Sequence, residues 1–270
     1  METTSPDLRI VSLDTLVLHE REENGRREKL RERITNEGRL RNPVIAATIG
    51  EGERLLVIDG VHRYFALRDL GCRDALVQIV DYQDRRIKLY TWCRLIPHLA
   101  GFLAKTEALG LRAEKVEEKA AIRALESGAA YGYARAADKS CILIKGNNLT
   151  LNEKTEILQE ILDSCGKLPR VRCEEVDENL KLGYAEGGLI VGAYTKIEVL
   201  ELARSETKLP AGTTRHIVPG RVLNVDIPLD FLKSEIPTEE KNKILADRIN
   251  RLTAEGRVRY YPEPVWLFDE

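Results

Sequence analysis

Apolar positions recur at strand-like density near the start of the chain, over residues 8–18 (LRIVSLDTLVL). A polar stretch follows in which Leu30 and Ile34 lie four apart. This predicts a helix over 26–37 with one apolar face, stopped by Gly38. Asn42-Pro43 opens a strand through Val44, Ile45 and Ala46. Gly50 and Gly52 turn the chain, and residues 55–58 (LLVI) form the next strand. In DGVHRYFALRDLG, residues 59–71, Asp59-Gly60 end that strand. Tyr64, Leu67 and Leu70 then fall at helical spacing, and Gly71 caps the helix. A strand over 75–80 completes a strand–helix–strand–strand–helix–strand unit.

Beyond a bridging segment at 81–94, helical patterns run over 113–128 and 153–165, with a strand-like stretch at 140–144 between them. Residues 187–194 read as another apolar strand. Thr195 is placed to cap a helix over 197–204, with Glu198 completing a capping box. Residues 208–221 (KLPAGTTRHIVPGR) are turn-rich and read as a long loop. A strand at 222–227, a helix at 238–255 and a closing strand at 265–268 end the chain. The expected class is mixed α/β (α+β): an N-terminal domain over 1–94 packed against a second α/β lobe over 95–270, with an active site in the cleft between them.

Composition narrows the function. The 270 residues are 43% apolar and 32% charged, a globular balance. No apolar run approaches the ~18 residues of a membrane span. No signal peptide is expected, so the cytoplasm is the expected compartment and no membrane partner is expected. The net charge of −2 argues against nucleic acid as a partner. The charge-dense stretch 21–41 mixes arginines with glutamates and reads as a solvated helix face. Five cysteines, an odd number without C-x-x-C spacing, read as reduced thiols rather than disulfides or a zinc site.

Three motifs carry candidate chemistry. Asp59-Gly60-Val61-His62-Arg63 lies where a strand gives way to a helix, a place that favours anions because free N–H groups point outward. Gly60 permits close approach of a phosphate, and His62 and Arg63 offer donors to it. Asp59 reads either as a metal ligand or as a helix cap. His19-Glu20 follows the first strand, and Thr213-Thr214-Arg215-His216 follows Gly212 in the late loop. Two hydroxyls, a guanidinium and an imidazole there suit a carboxylate or phosphate; the alternative is an ordinary polar turn. Three of the four histidines fall in these motifs. Trp92, in Tyr90-Thr91-Trp92, reads as a core or hinge residue, or as a wall of a pocket.

The first 90 residues resemble the ParB/sulfiredoxin-like superfamily through the D-G-x-H-R element. Joined to the His-Glu pair, the Tyr-Thr-Trp stretch and the Thr-Arg-His loop, the pattern is similar to free L-serine kinases. PAGTTRHIVPGRVLNVDIPLDFL is similar to the SbnI-type branch of that family. The resemblance implies a cytoplasmic kinase that uses ATP, or else ADP, with Mg²⁺ to form O-phospho-L-serine for siderophore or cysteine synthesis. It implies Glu20 as general base and Asp59 as a catalytic, metal-holding carboxylate. Gly60, His62 and Arg63 would bind phosphate, and Trp92, Thr213, Thr214, Arg215 and His216 the amino acid or the transferred group. Residues 100–185 carry little of the resemblance, so no adenine contacts follow from it. On this reading Glu20→Gln leaves the fold intact and lowers turnover at least about a hundred-fold.

The rival reading is a ParB-like, nucleotide-dependent DNA-binding regulator. The mild acidity, the absence of a helix-turn-helix pattern and the Thr-Arg-His loop weigh against it. A sulfiredoxin-like reductase needs a cysteine beside the phosphate site, where this chain has Val61. A kinase acting on threonine or homoserine differs only in pocket size.

Overall fold

The computed structural model describes residues 5–50, 54–111, 113–146 and 149–261, with residues 24 and 26 described by backbone alone. In chain order the described elements are β1 (Asp7–Ser12), β2 (Leu16–Val17), α1 (Asn24–Glu37), β3 (Arg39–Leu40), β4 (Val44–Thr48), β5 (Leu55–Asp59), α2 (Val61–Asp69) and β6 (Asp74–Val80). Then come β7 (Lys88–Thr91), β8 (Cys93–Ile96), α3 (Leu99–Ala108), β9 (Ala113–Val116), α4 (Glu118–Glu126), β10 (Ala130–Ala136), β11 (Cys141–Lys145) and α5 (Leu151–Cys165). The rest are β12 (Arg170–Val171), α6 (Val176–Lys181), β13 (Gly187–Val191), α7 (Lys196–Arg204), β14 (Thr214–Ile217), β15 (Ile227–Pro228), α8 (Leu229–Lys233) and α9 (Thr238–Ala254).

Two compact units interleave along the chain. The first comprises residues 1–18, 22–88 and 217–270; the second comprises 19–21 and 89–216. The boundary drawn from sequence at residue 94 instead groups 217–270 with the second lobe. Two of its elements, β15 and α9, bind this tail into the first unit. β15 pairs with β3, placing Ile227 opposite Leu40. On α9, Asn242 bonds both backbone groups of Ile10, and the fully buried Lys241 meets Asp74 Oδ2 at 2.6 Å.

The first unit holds a mixed five-stranded sheet, β1-β6-β4-β5-β2. β4 runs parallel to β6 and antiparallel to β5. Its residues Val44, Ile45, Ala46 and Ala47 are all buried, as expected of a strand covered on both faces. Gly38 stops α1 in the left-handed conformation, as its position in the pattern predicts. The strand expected at 222–227 shrinks to Ile227–Pro228, because Asn224 and Asp226 take positive φ (56° and 60°), which extended backbone excludes.

The second unit is built on a six-stranded antiparallel sheet, β12-β8-β13-β10-β11-β9. The helix expected over 113–128 begins instead as β9, which pairs with β11, and α4 starts only at Glu118. Tertiary pairing overrides a weak helical preference there. The Thr195–Glu198 capping box opens α7 as expected. Cys93 and Cys173 form a disulfide, contrary to the reading of all five cysteines as reduced thiols. The β8–β12 ladder sets Val171 opposite Cys93 and so carries Cys173 within bonding reach, a proximity invisible across 80 residues of sequence. The closing strand expected at 265–268, and Gly52 of the expected turn, lie outside the described residues.

Candidate active site

In the first unit, β5 ends at Asp59 and α2 begins after Gly60, whose φ of 102° and ψ of 25° are left-handed. A Cβ at Gly60 would stand 2.8 Å from Arg63 Nε, so both conformation and space call for glycine. Gly60 offers no capping side chain to α2, whose first turn carries the backbone N–H groups that an α-helix leaves without intrahelical partners. Arg63 is anchored: it donates to Pro43 O at 2.6 Å and to Asp59 Oδ2. A second guanidinium, that of Arg221, reaches the same oxygen at 2.5 Å. Burial alone would raise the Asp59 pKa, but the two arginines outweigh it and hold the carboxyl below its ordinary value of 3.8. Asp59, Gly60, His62 and Arg63 thus share one corner of the unit. Arg221, from the end of the late loop, joins them without having been singled out from sequence.

The second unit brings together the His-Glu pair, Trp92 and the Thr-Arg-His loop. Glu20 forms a parallel bridge with Leu209; Leu209 N donates to His19 O at 2.9 Å, and Arg21 N donates to Leu209 O at 2.7 Å. The loop then wraps the Glu20 carboxylate. Oε2 accepts from Gly212 N at 2.9 Å, and Oε1 accepts from Thr213 N at 3.1 Å, Thr214 N at 2.6 Å and Thr214 Oγ1 at 2.6 Å. The single Thr214 hydroxyl proton goes to Glu20, so that oxygen accepts from His19 Nε2–H at 2.8 Å. His19 and Glu20 are both buried.

Neighbouring groups hold the loop from behind. Trp92 N donates to Thr213 O at 2.9 Å, and Thr213 Oγ1 donates to Pro210 O at 2.7 Å. Arg94 donates to the carbonyls of Ala211 and Gly212. Arg215 lies over the Trp92 ring with its Cζ 5.2 Å from the centroid, a cation–π distance. The Glu175 carboxylate, held low chiefly by hydrogen bonding from Arg172, also senses the Arg215 charge. The rings of His19 and His216 meet edge to face, 5.6 Å apart.

His19, Arg94 and Arg221 were not among the site residues expected from sequence. His19 stood in the His-Glu motif and Arg221 ended the late loop, so a signal existed for both; Arg94 had none. Among the described residues no three His, Cys, Asp or Glu side chains cluster closely enough to hold a metal ion. No described helix is long and apolar enough to cross a membrane.

No protein-family model matches the chain. It is 31% identical to the ATP-dependent L-serine kinase of Staphylothermus marinus, over 83% of this chain and 90% of the relative. It is 28% identical to the ADP-dependent L-serine kinase SerK of Thermococcus kodakarensis, over 85% and 95% of the two chains. Identity to the ATP-dependent L-serine kinase SbnI of Staphylococcus aureus is 26%, over 97% of each. Among solved structures, a free serine kinase in complex with AMP superposes with a TM-score of 0.71 at 26% identity, covering 85% of this chain and 95% of that one. A C-terminally truncated SbnI shares the fold, with a TM-score of 0.70 at 22% identity over 90% and 97% of the two chains. Identity above three-tenths with coverage this complete decides the matter: the chain belongs to the L-serine kinase family.

Proposed function

We propose that this protein phosphorylates free L-serine, using a nucleotide donor, ATP in preference to ADP, to give O-phospho-L-serine. The observation that carries the reading is the uncapped start of α2, entered through Gly60 and flanked by Arg63 and Arg221, in a chain of the L-serine kinase family. First-turn N–H groups, a helix dipole and two guanidiniums are what polyphosphate binding asks of a protein. The preference for ATP rests on the Staphylothermus and Staphylococcus relatives, both named ATP-dependent.

Phosphoryl transfer requires positioning and charge stabilisation more than covalent chemistry. The serine Oγ attacks the terminal phosphorus, the bond to the bridging oxygen breaks, and the hydroxyl proton passes to a base. Glu20 is that base. Its described hydrogen bonds fall three on Oε1 and one on Oε2, so Oε2 is the oxygen with room for a serine hydroxyl. Arg215 and His216 bind the amino acid or the moving phosphoryl group, with Trp92 as a wall. Thr213 and Thr214, expected from sequence to join them, spend their N–H and O–H donors on Glu20 and Pro210 O and shape the pocket by holding that carboxylate. Gly60, His62 and Arg63 take the donor phosphates.

Asp59 fits a role toward Mg²⁺, because both guanidiniums use its Oδ2 and Oδ1 remains for a cation. A lone carboxylate suits an ion that draws most of its shell from phosphate oxygens and water. The ion would neutralise charge on the transferring group. The test is phosphorus NMR of the purified protein with Mg²⁺, L-serine and either ATP or ADP. An O-phosphoserine resonance, faster from ATP, is expected. Nucleotide binding without that product from either donor overturns the reading.

A further inference from the structure

Arg221 stands outside the D-G-x-H-R element, yet it makes the closest described ion pair to Asp59 besides that of Arg63. The two arginines are held differently. Arg63 is mostly buried and tied by its second nitrogen to Pro43 O, so it stays where it is. The Arg221 side chain is 46% exposed, and Asp59 is the one described ion-pair partner it has. Its backbone, by contrast, is fixed on both sides. The Gln78 amide donates from Nε2 to Gly220 O at 2.9 Å and accepts at Oε1 from Val222 N at 3.0 Å. Gln78 is buried, the one uncharged polar side chain in the otherwise apolar run Ala75 to Val80 of β6. A buried amide is costly unless both ends are bonded, and here both ends clamp the residues flanking Arg221.

A fixed backbone carrying an exposed, single-partner guanidinium beside an uncapped helix start is built to receive an anion. We infer that Arg221 is a third donor-phosphate ligand, exchanging Asp59 Oδ2 for phosphate oxygen when nucleotide binds, and that Gln78 is its positioning residue. The exchange leaves Asp59 Oδ2 paired with Arg63 alone, and the inference rests on the reading above only in naming the anion as a nucleotide phosphate.

The test compares ADP with adenosine, which shares the base and sugar but carries no phosphate, by calorimetric titration of the full chain. For Arg221→Ala the expected result is ADP binding weakened about ten-fold or more, the scale of a charge-assisted hydrogen bond. Adenosine affinity should stay within about two-fold by the same arithmetic. Arg221→Lys should recover part of the ADP affinity, and Gln78→Leu should move ADP affinity in the same direction as Arg221→Ala while sparing adenosine. If Arg221→Ala weakens both ligands equally, or neither, Arg221 merely closes the loop and the inference fails. Because binding rather than product is read, a chain that forms no O-phosphoserine would sink the kinase reading while leaving this comparison intact.

Discussion

Glu20 is an anchor as well as the proposed base. A carboxylate accepts at both oxygens, and here four donors from Gly212, Thr213 and Thr214 converge on it. A glutamine cannot match that set, since whichever way its amide turns an NH₂ group faces at least one N–H donor. Leaving a buried donor unsatisfied costs about 1–3 kcal/mol. Glu20→Gln is therefore expected to lower the melting temperature as well as turnover, which revises the expectation that the fold is left untouched. Turnover measured well below the melting point should still fall at least about a hundred-fold, the lower end of a general-base contribution. Near-normal turnover together with a lowered melting temperature would leave Glu20 as the loop's anchor and take it out of the chemistry. The pair His19-Glu20 was visible in the sequence because two chemistry-bearing residues follow a strand. Its partners were not, because they lie 192 to 194 residues further on and no local pattern encodes them. Arg221 escaped for the same reason, being recruited by Asp59 and Gln78 from distant strands.

At the scale of elements, what the sequence showed well was punctuation. Gly60 and Gly71 bracket α2, Gly38 ends α1, and Thr195 with Glu198 opens α7, because caps and left-handed glycines act within a few residues. Partnerships between strands were less legible: β9 looked helical until paired with β11, and 222–226 looked extended although Asn224 and Asp226 bend it. The late loop combines both kinds of information. Its Gly212 has a φ of 62°, and a Cβ there would fall 1.6 Å from Nη1 of Arg170 on β12. Gly212→Ala thus meets two separate obstacles, a left-handed backbone costing about 1–2 kcal/mol for an L residue and the displacement of Arg170. Its measured destabilisation should exceed the backbone cost alone. Introduced into an Arg170→Ala background, it should shrink to that cost, so a double-mutant cycle by denaturant unfolding is expected to return a coupling between the two positions. Strict additivity would show that Arg170 does not crowd the loop.

The chain's ends and middle are sorted differently in space than along the sequence. The second unit draws 19–21 from near the N-terminus, and the first unit takes back 217–270, with Lys241 buried against Asp74. A boundary drawn from sequence follows the chain and misses such returns, since nothing in residues 217–270 announces that α9 will lie on β1. The disulfide belongs to the same class of hidden contact, because it closes an 80-residue span wholly inside the second unit. A disulfide typically stabilises a fold by about 2–4 kcal/mol, and in the chain-entropy account a span of this size lies at or above the top of that range, because closing a longer loop restricts the unfolded chain more. In denaturant without reductant, three thiols should react with a chromogenic disulfide, those of Cys72, Cys141 and Cys165, and all five after reduction. In the folded protein Cys72 and Cys141 should react slowly, because both are buried and burial pushes the Cys72 thiol up to about 11. Reduction should lower hydrogen-exchange protection in β8, β10 and β13, which share the second unit's sheet with β12, and leave β4, β5 and β6 of the first unit unchanged. Five thiols reacting before reduction would restore the reading of five reduced cysteines. A loss of protection spread equally over both units would show that the cross-link supports the whole molecule rather than the unit that contains it.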